Sequence, residues 1–113
     1  MNENKLNILW TNADPVTAKL MVFMYGNNAI RKGWWDEVTI ILWGATVKLV
    51  AEDESVQHLI KEAKETGVHI TACKGCADEL GVTSTLEGFD IEVKYWGEPL
   101  TEILKTDSKL LTI

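Results

Sequence analysis

Short apolar runs rich in β-branched residues alternate with amphipathic stretches five times in 113 residues, and this alternation narrows the fold more than any other feature. Adjacent apolar residues suit a buried strand, whereas spacings of three and four suit one face of a helix. Strand and helix taken in turn predict a mainly parallel sheet with helices on both faces. The expected architecture is a three-layer α/β sandwich around five strands, in a single domain spanning residues 1–113.

Residues 6–10 (LNILW) read as the first strand, and Asp14-Pro15 supplies a helix N-cap with proline at the first helical position. The helix that follows ends near Gly33 and carries Ala18, Met21, Val22, Tyr25 and Ala29 on its apolar face. Residues 37–43 form a second strand closing on Gly44; residues 46–51 suit either a short helix or an extended loop, and the crossover that the next strand needs favours the helix. Ser55 is read as the N-cap of a helix running to about Thr66, with Gly67 as its stop. Residues 68–72 make a third strand, 75–80 a short helix stopped by Gly81, 91–95 a fourth strand, 98–105 a helix and 109–113 a closing strand.

In such sheets ligands collect at the carboxyl ends of the strands. Those ends carry Trp10 with Thr11 and Asn12, Trp43 with Gly44, Cys73, and Trp96 with Gly97. These residues, with Lys74 and Gly75, are the candidate binding positions. Cys73-Lys74-Gly75-Cys76 holds the only two cysteines. It lies where a strand gives way to a helix, so the Cys73 sulfur is expected to face the amides of Gly75 and Cys76, which favour a thiolate. Gly75 leaves approach open, and Lys74 adds positive charge if it folds back. Cys76, one turn on, is within reach as a resolving thiol.

Four chemistries compete for this motif. A reactive thiol makes Cys73 the nucleophile. A thioredoxin-type dithiol is the second, but the motif follows the third strand and no tryptophan directly precedes Cys73. Zinc is the third, and it needs two more ligands. His69 lies about 13 Å from Cys73 along an extended strand, too far to share an ion, so no metal is expected. The fourth is a pair of small buried side chains without chemistry. A different class altogether is a non-catalytic module whose tryptophan rim holds a small apolar ligand.

The 17 acidic and 11 basic residues give a charge of -6, which disfavours nucleic acid as a partner. The turn after the first strand lacks the glycines that wrap a phosphate, which disfavours nucleotide and flavin cofactors, so none is expected. The start of the chain lacks a secretion signal and no apolar run reaches the roughly 18 residues of a membrane span. The expected location is cytoplasmic, where paired cysteines are more often catalytic or metal-binding than a permanent disulfide. Trp34-Trp35 falls at the opposite end of the sheet from the cysteines and, if exposed, marks a subunit contact. Glu52-Asp53-Glu54 reads as a solvated acidic turn.

With these residues in place, the chain resembles the DsrE/DsrF-like family, which includes the small sulfur-relay subunits of the DsrEFH and TusBCD complexes and the YchN-like proteins. The resemblance runs over nearly the whole length. It is most specific in the strand ending at Cys73, the short helix, Gly81-Val82, the segment Trp96-Gly97-Glu98-Pro99-Leu100-Thr101 and the closing strand. It implies that Cys73 carries sulfane sulfur as a persulfide between donor and acceptor proteins, and that the chain forms a homo-oligomer, trimer or hexamer. Cys76 matches no position the relay subunits require.

Overall fold

The computed structural model describes residues 4–113; the reading of the chain's start falls partly on residues 1–3, outside that range. Five strands, β1 (Lys5–Trp10), β2 (Glu37–Leu42), β3 (His69–Cys73), β4 (Glu92–Lys94) and β5 (Lys109–Thr112), form one sheet in the order β4-β3-β2-β1-β5. Every pairing is parallel, so the sheet expected to be mainly parallel is wholly so. All five carboxyl ends therefore share one edge.

Among the described residues, six helices connect the strands. The helix over residues 15–31, α1, is followed by α2 (Ala45–Glu52), α3 (Glu54–Thr66), α4 (Lys74–Leu80), α5 (Thr83–Gly88) and α6 (Gly97–Lys105). The steps β1 to β2 to β3 to β4 all move the same way across the sheet. Right-handed crossovers then confine α1 to α5 to one face. The step from β4 to β5 travels back across the whole sheet, which puts α6 on the other. The three layers are thus unequal.

Register fixes what each layer buries. Leu6 pairs with Val38, Ile8 with Ile40 and Trp10 with Leu42, and on the next strand Ile40 pairs with Ile70 and Leu42 with Ala72; these residues form the main core with Val22, Phe23, Val47, Val50, Ile60 and Leu86 from the helices. The alternate positions, Leu9, Ile41 and Cys73, face the thin layer, where Trp96 and Ile103 cover them. A side chain changes faces with each residue along a strand.

Helix α1 begins as expected, with Asp14 Oδ1 accepting from the amides of Val16 and Thr17 at 2.7 and 3.1 Å. Its middle, Ala18–Phe23, is wound as a π-helix between α-helical ends. The wider turn rotates the apolar face: Ala18, Val22 and Ala29 are buried as read, but Met21 turns outward and Phe23 inward. Phe23 meets Trp10 edge-on, with ring centroids 5.3 Å apart. Val16, Leu20 and Met24 remain exposed along the outer side.

Three sequence expectations are corrected. Asp53, not Ser55, caps α3: its Oδ1 accepts from Val56 N at 3.1 Å and from the Ser55 hydroxyl at 2.6 Å, so the acidic turn does more than sit in water. These bonds hold the Asp53 carboxyl below its ordinary value, the Ser55 bond first. Helix α5 was not expected, because its six residues bury only Leu86 and no side chain caps it. The fourth strand is shorter than read, and Tyr95 is exposed beyond it. Among the described residues no helix is long and apolar enough to cross a membrane.

Ile8 is fully buried between β2 and β5 at the centre of the main core. Urea unfolding of Ile8→Ala is expected to show a loss of about 2–5 kcal/mol, against about 0.5 kcal/mol or less for Leu104→Ala on the exposed side of α6.

Candidate functional site

Strand order sets Cys73 between the ends of β2 and β4, with Trp43 on one side and Trp96 on the other. Cys73 is 7% exposed and packs with Ile41 and Trp96, and Leu9, Trp43, Cys76 and Ile103 close around them. Trp96 is held in place by its indole N–H, which donates to Thr71 Oγ1 at 2.9 Å, while Thr71 donates to the Glu92 carbonyl at 3.0 Å. The Lys94 ammonium lies 4.6 Å from the Trp96 ring centroid, an attractive cation–π contact. Cys73 therefore sits in an apolar wall with its own strand's threonine anchoring the far side.

Cys73 occupies the N-cap position of α4 with extended backbone, as expected, but its sulfur makes no hydrogen bond to the amides of the first turn. The side chain is turned instead into the Ile41–Trp96 contact. A methyl at Gly75 would touch that sulfur at 3.8 Å, an ordinary contact, so glycine is not demanded there by space. Lys74 does not fold back over the thiols. Its ammonium pairs with Asp78 at 3.1 Å and lies 5.8 Å from the Tyr95 ring centroid. That hydrogen bond raises Lys74 above its ordinary value, and Asp78, bonded by Thr83 and Lys74, is lowered.

Cys76 is the more exposed thiol, half-buried one turn into α4. Its Sγ accepts the backbone N–H of Gly44, 3.3 Å away, from the end of β2. Burial pushes the Cys76 thiol up from its ordinary value; the Gly44 N–H pulls the other way, and the adjacent Cys73 thiol pushes it up again. Both cysteines are free. The geometry brings together two thiols, one amide donor and two tryptophan walls.

The remaining candidates separate. Trp10 is fully buried on the opposite face from Cys73, against Phe23, with its indole N–H donating to the Asn12 carbonyl at 2.8 Å. It belongs to the core and not to a rim, because it is one residue out of phase with Leu9 and Cys73. Asn12 is exposed, and its Oδ1 accepts from Asp14 N at 2.9 Å to shape the turn into α1. Gly97 is exposed at the start of α6. Trp34 is 51% exposed and stacks obliquely on Tyr25, whose hydroxyl accepts from Trp35 Nε1 at 3.0 Å. His69 pairs with Glu92 at 3.3 Å, and among the described residues no three His, Cys, Asp or Glu side chains converge on a common point.

Thr46 went unread in the sequence. Fully buried, its hydroxyl donates to the Trp10 carbonyl at 2.7 Å and accepts from Trp43 N at 3.1 Å. The available signal was a threonine in the first turn of a helix, whose side chain can reach back to the preceding amide much as in a capping box.

The DsrE/DsrF-like family model matches residues 12–111. A conserved protein of unknown function from Bacteroides thetaiotaomicron is 46% identical, with 97% of this chain and 95% of that chain covered and a TM-score of 0.95. The YchN protein of E. coli is 21% identical over 97% of this chain and 99% of its own, with a TM-score of 0.66. A protein of unknown function from Methanobacterium thermoautotrophicum is 13% identical over 98% of this chain and 100% of its own, with a TM-score of 0.77. The last two speak to the fold alone. Comparison with curated proteins gives no match.

Since burial outweighs the Gly44 amide, alkylation of Cys76 in a Cys73→Ser variant is expected to accelerate through a midpoint above the ordinary thiol value of about 8.5. A midpoint at or below that value would show the amide prevailing.

Proposed function

The chain belongs to the DsrE/DsrF-like family, and from that premise we propose that it is a sulfur-relay protein whose Cys73 carries sulfane sulfur as a persulfide. The observation that carries this reading is the meeting of Cys73, Cys76 and the Gly44 N–H at the carboxyl edge of the sheet, between Trp43 and Trp96. The Cys73 thiolate attacks the outer sulfur of a donor persulfide R–S–SH. The donor's S–S bond breaks, R leaves as its thiolate, and Cys73–S–SH forms. An acceptor thiolate then takes the same sulfur and releases Cys73. The apolar walls of Trp96 and Ile41 shield the cargo from water between the two transfers.

Cys76 offers a second outcome. Its thiolate attacks the inner sulfur of Cys73–S–SH, forming the Cys73–Cys76 disulfide and releasing HS⁻. The sulfane sulfur is reduced to sulfide and the two thiols are oxidised, so no external redox partner is needed. The raised Cys76 thiol keeps this discharge slow at neutral pH.

Donor and acceptor are proteins in this reading, and the compartment is the cytoplasm, where reducing conditions keep both thiols free. The working form is a homo-oligomer, trimer or hexamer. The exposed Val16, Leu20, Met24 and Trp34 give it apolar surface to bury.

Incubation with a persulfide donor, read by intact mass, tests the reading. The wild type is expected to gain one sulfur atom and Cys73→Ser none; no gain in the wild type, or equal gain in Cys73→Ser, overturns it.

A further inference from the structure

We infer that Thr46 is a positioning residue for the thiol pair: it locks the turn over residues 43–46 so that the Gly44 N–H stays aimed at Cys76. The inference rests on the sulfur-relay reading for its meaning, though not for its geometry.

Thr46 is a fully buried polar residue whose hydroxyl is used in both directions. It joins the last residue of β1 to the first residue past β2 by donating to Trp10 O and accepting from Trp43 N, which also reaches Trp10 O at 3.2 Å. The next residue, Gly44, has φ +68 and ψ -125, and no atom lies within 4 Å of where its Cβ would be. Glycine is required there by backbone geometry and not by crowding. In that conformation the Gly44 N–H donates to Cys76 Sγ at 3.3 Å. A hydrogen bond to sulfur favours the thiolate, so the clamp sets the fraction of Cys76 able to attack a persulfide on Cys73.

The groups facing Cys76 are few. Cys73 is the titratable neighbour that pushes it up. Lys74 and Asp78 on the same helix are paired with each other, and Lys48 and Glu52 of the adjoining α2 are exposed. The Gly44 amide is thus the contact that a change at Thr46 moves.

Two measurements test the inference. In a Cys73→Ser background, the pH midpoint of Cys76 alkylation is compared for Thr46, Thr46→Ala, Thr46→Val and Thr46→Ser. Loss of the hydroxyl is expected to raise the midpoint by about half a pH unit or more, with Thr46→Ser remaining at the wild-type value. In protein that retains Cys73 and has been loaded with a persulfide, sulfide release at neutral pH is expected to slow about twofold in Thr46→Ala, the loss of thiolate being partly offset by its greater nucleophilicity. Thr46→Val, of the same shape as threonine, keeps the comparison intact where alanine fails to pack. A purely structural role lowers melting temperature without moving the midpoint. Unchanged midpoints in both hydroxyl-free variants, or an equal shift in Thr46→Ser, overturn the inference. Failure of the wild type to take up sulfur overturns the relay reading alone, because the alkylation midpoints still decide the role of Thr46.

Discussion

The handedness of the crossovers governs everything else in this molecule. Three successive steps in one direction load five helices onto one face, and the single return step leaves α6 to cover the other. The thick side holds the large contiguous core and supplies most of the hydrophobic stabilisation. The thin side holds Ile41, Cys73 and Trp96. Cys73 is therefore placed on the face that a single helix, α6, covers, beneath Trp96 and Ile103.

Within that frame, the candidate site is assembled from the ends of three adjacent strands. β1 contributes a carbonyl to Thr46, β2 an amide to Cys76, and β3 the cysteine that starts α4. None of these groups lies near the others in sequence, and a parallel sheet is the structure that aligns all the strand ends at one edge. The two thiols are then differentiated by surroundings: Cys73 by apolar walls, Cys76 by partial exposure and a single amide. A symmetric motif in sequence has become an asymmetric pair.

Much of the fold was legible because its signals are local. The strands show as β-branched runs, and Asp14-Pro15 and Gly67 mark a helix start and a helix stop through backbone rules that tertiary packing does not override. What escaped was whatever depends on phase or on partners distant in sequence. The π-helical turn shifted Met21 outward and Phe23 inward, since a wider turn breaks the three- and four-residue spacing on which the reading relied. Asp53 outcompeted Ser55 as a cap because a carboxylate accepts from both the amide and the neighbouring hydroxyl. At the candidate site, Cys73 was read at a strand end, and the structure places it there. Trp10 was misplaced because strand ends reveal the edge but not the face, and one residue of phase sends a side chain to the other side of the sheet.

The margins of the sheet carry a further consequence. β4 has three residues, two of them the charged Glu92 and Lys94, and β5 has four. Edges so short and, at β4, so charged make poor templates for another strand. For copies of this chain that associate, the helices and the thin face offer better surfaces than the edges of the sheet.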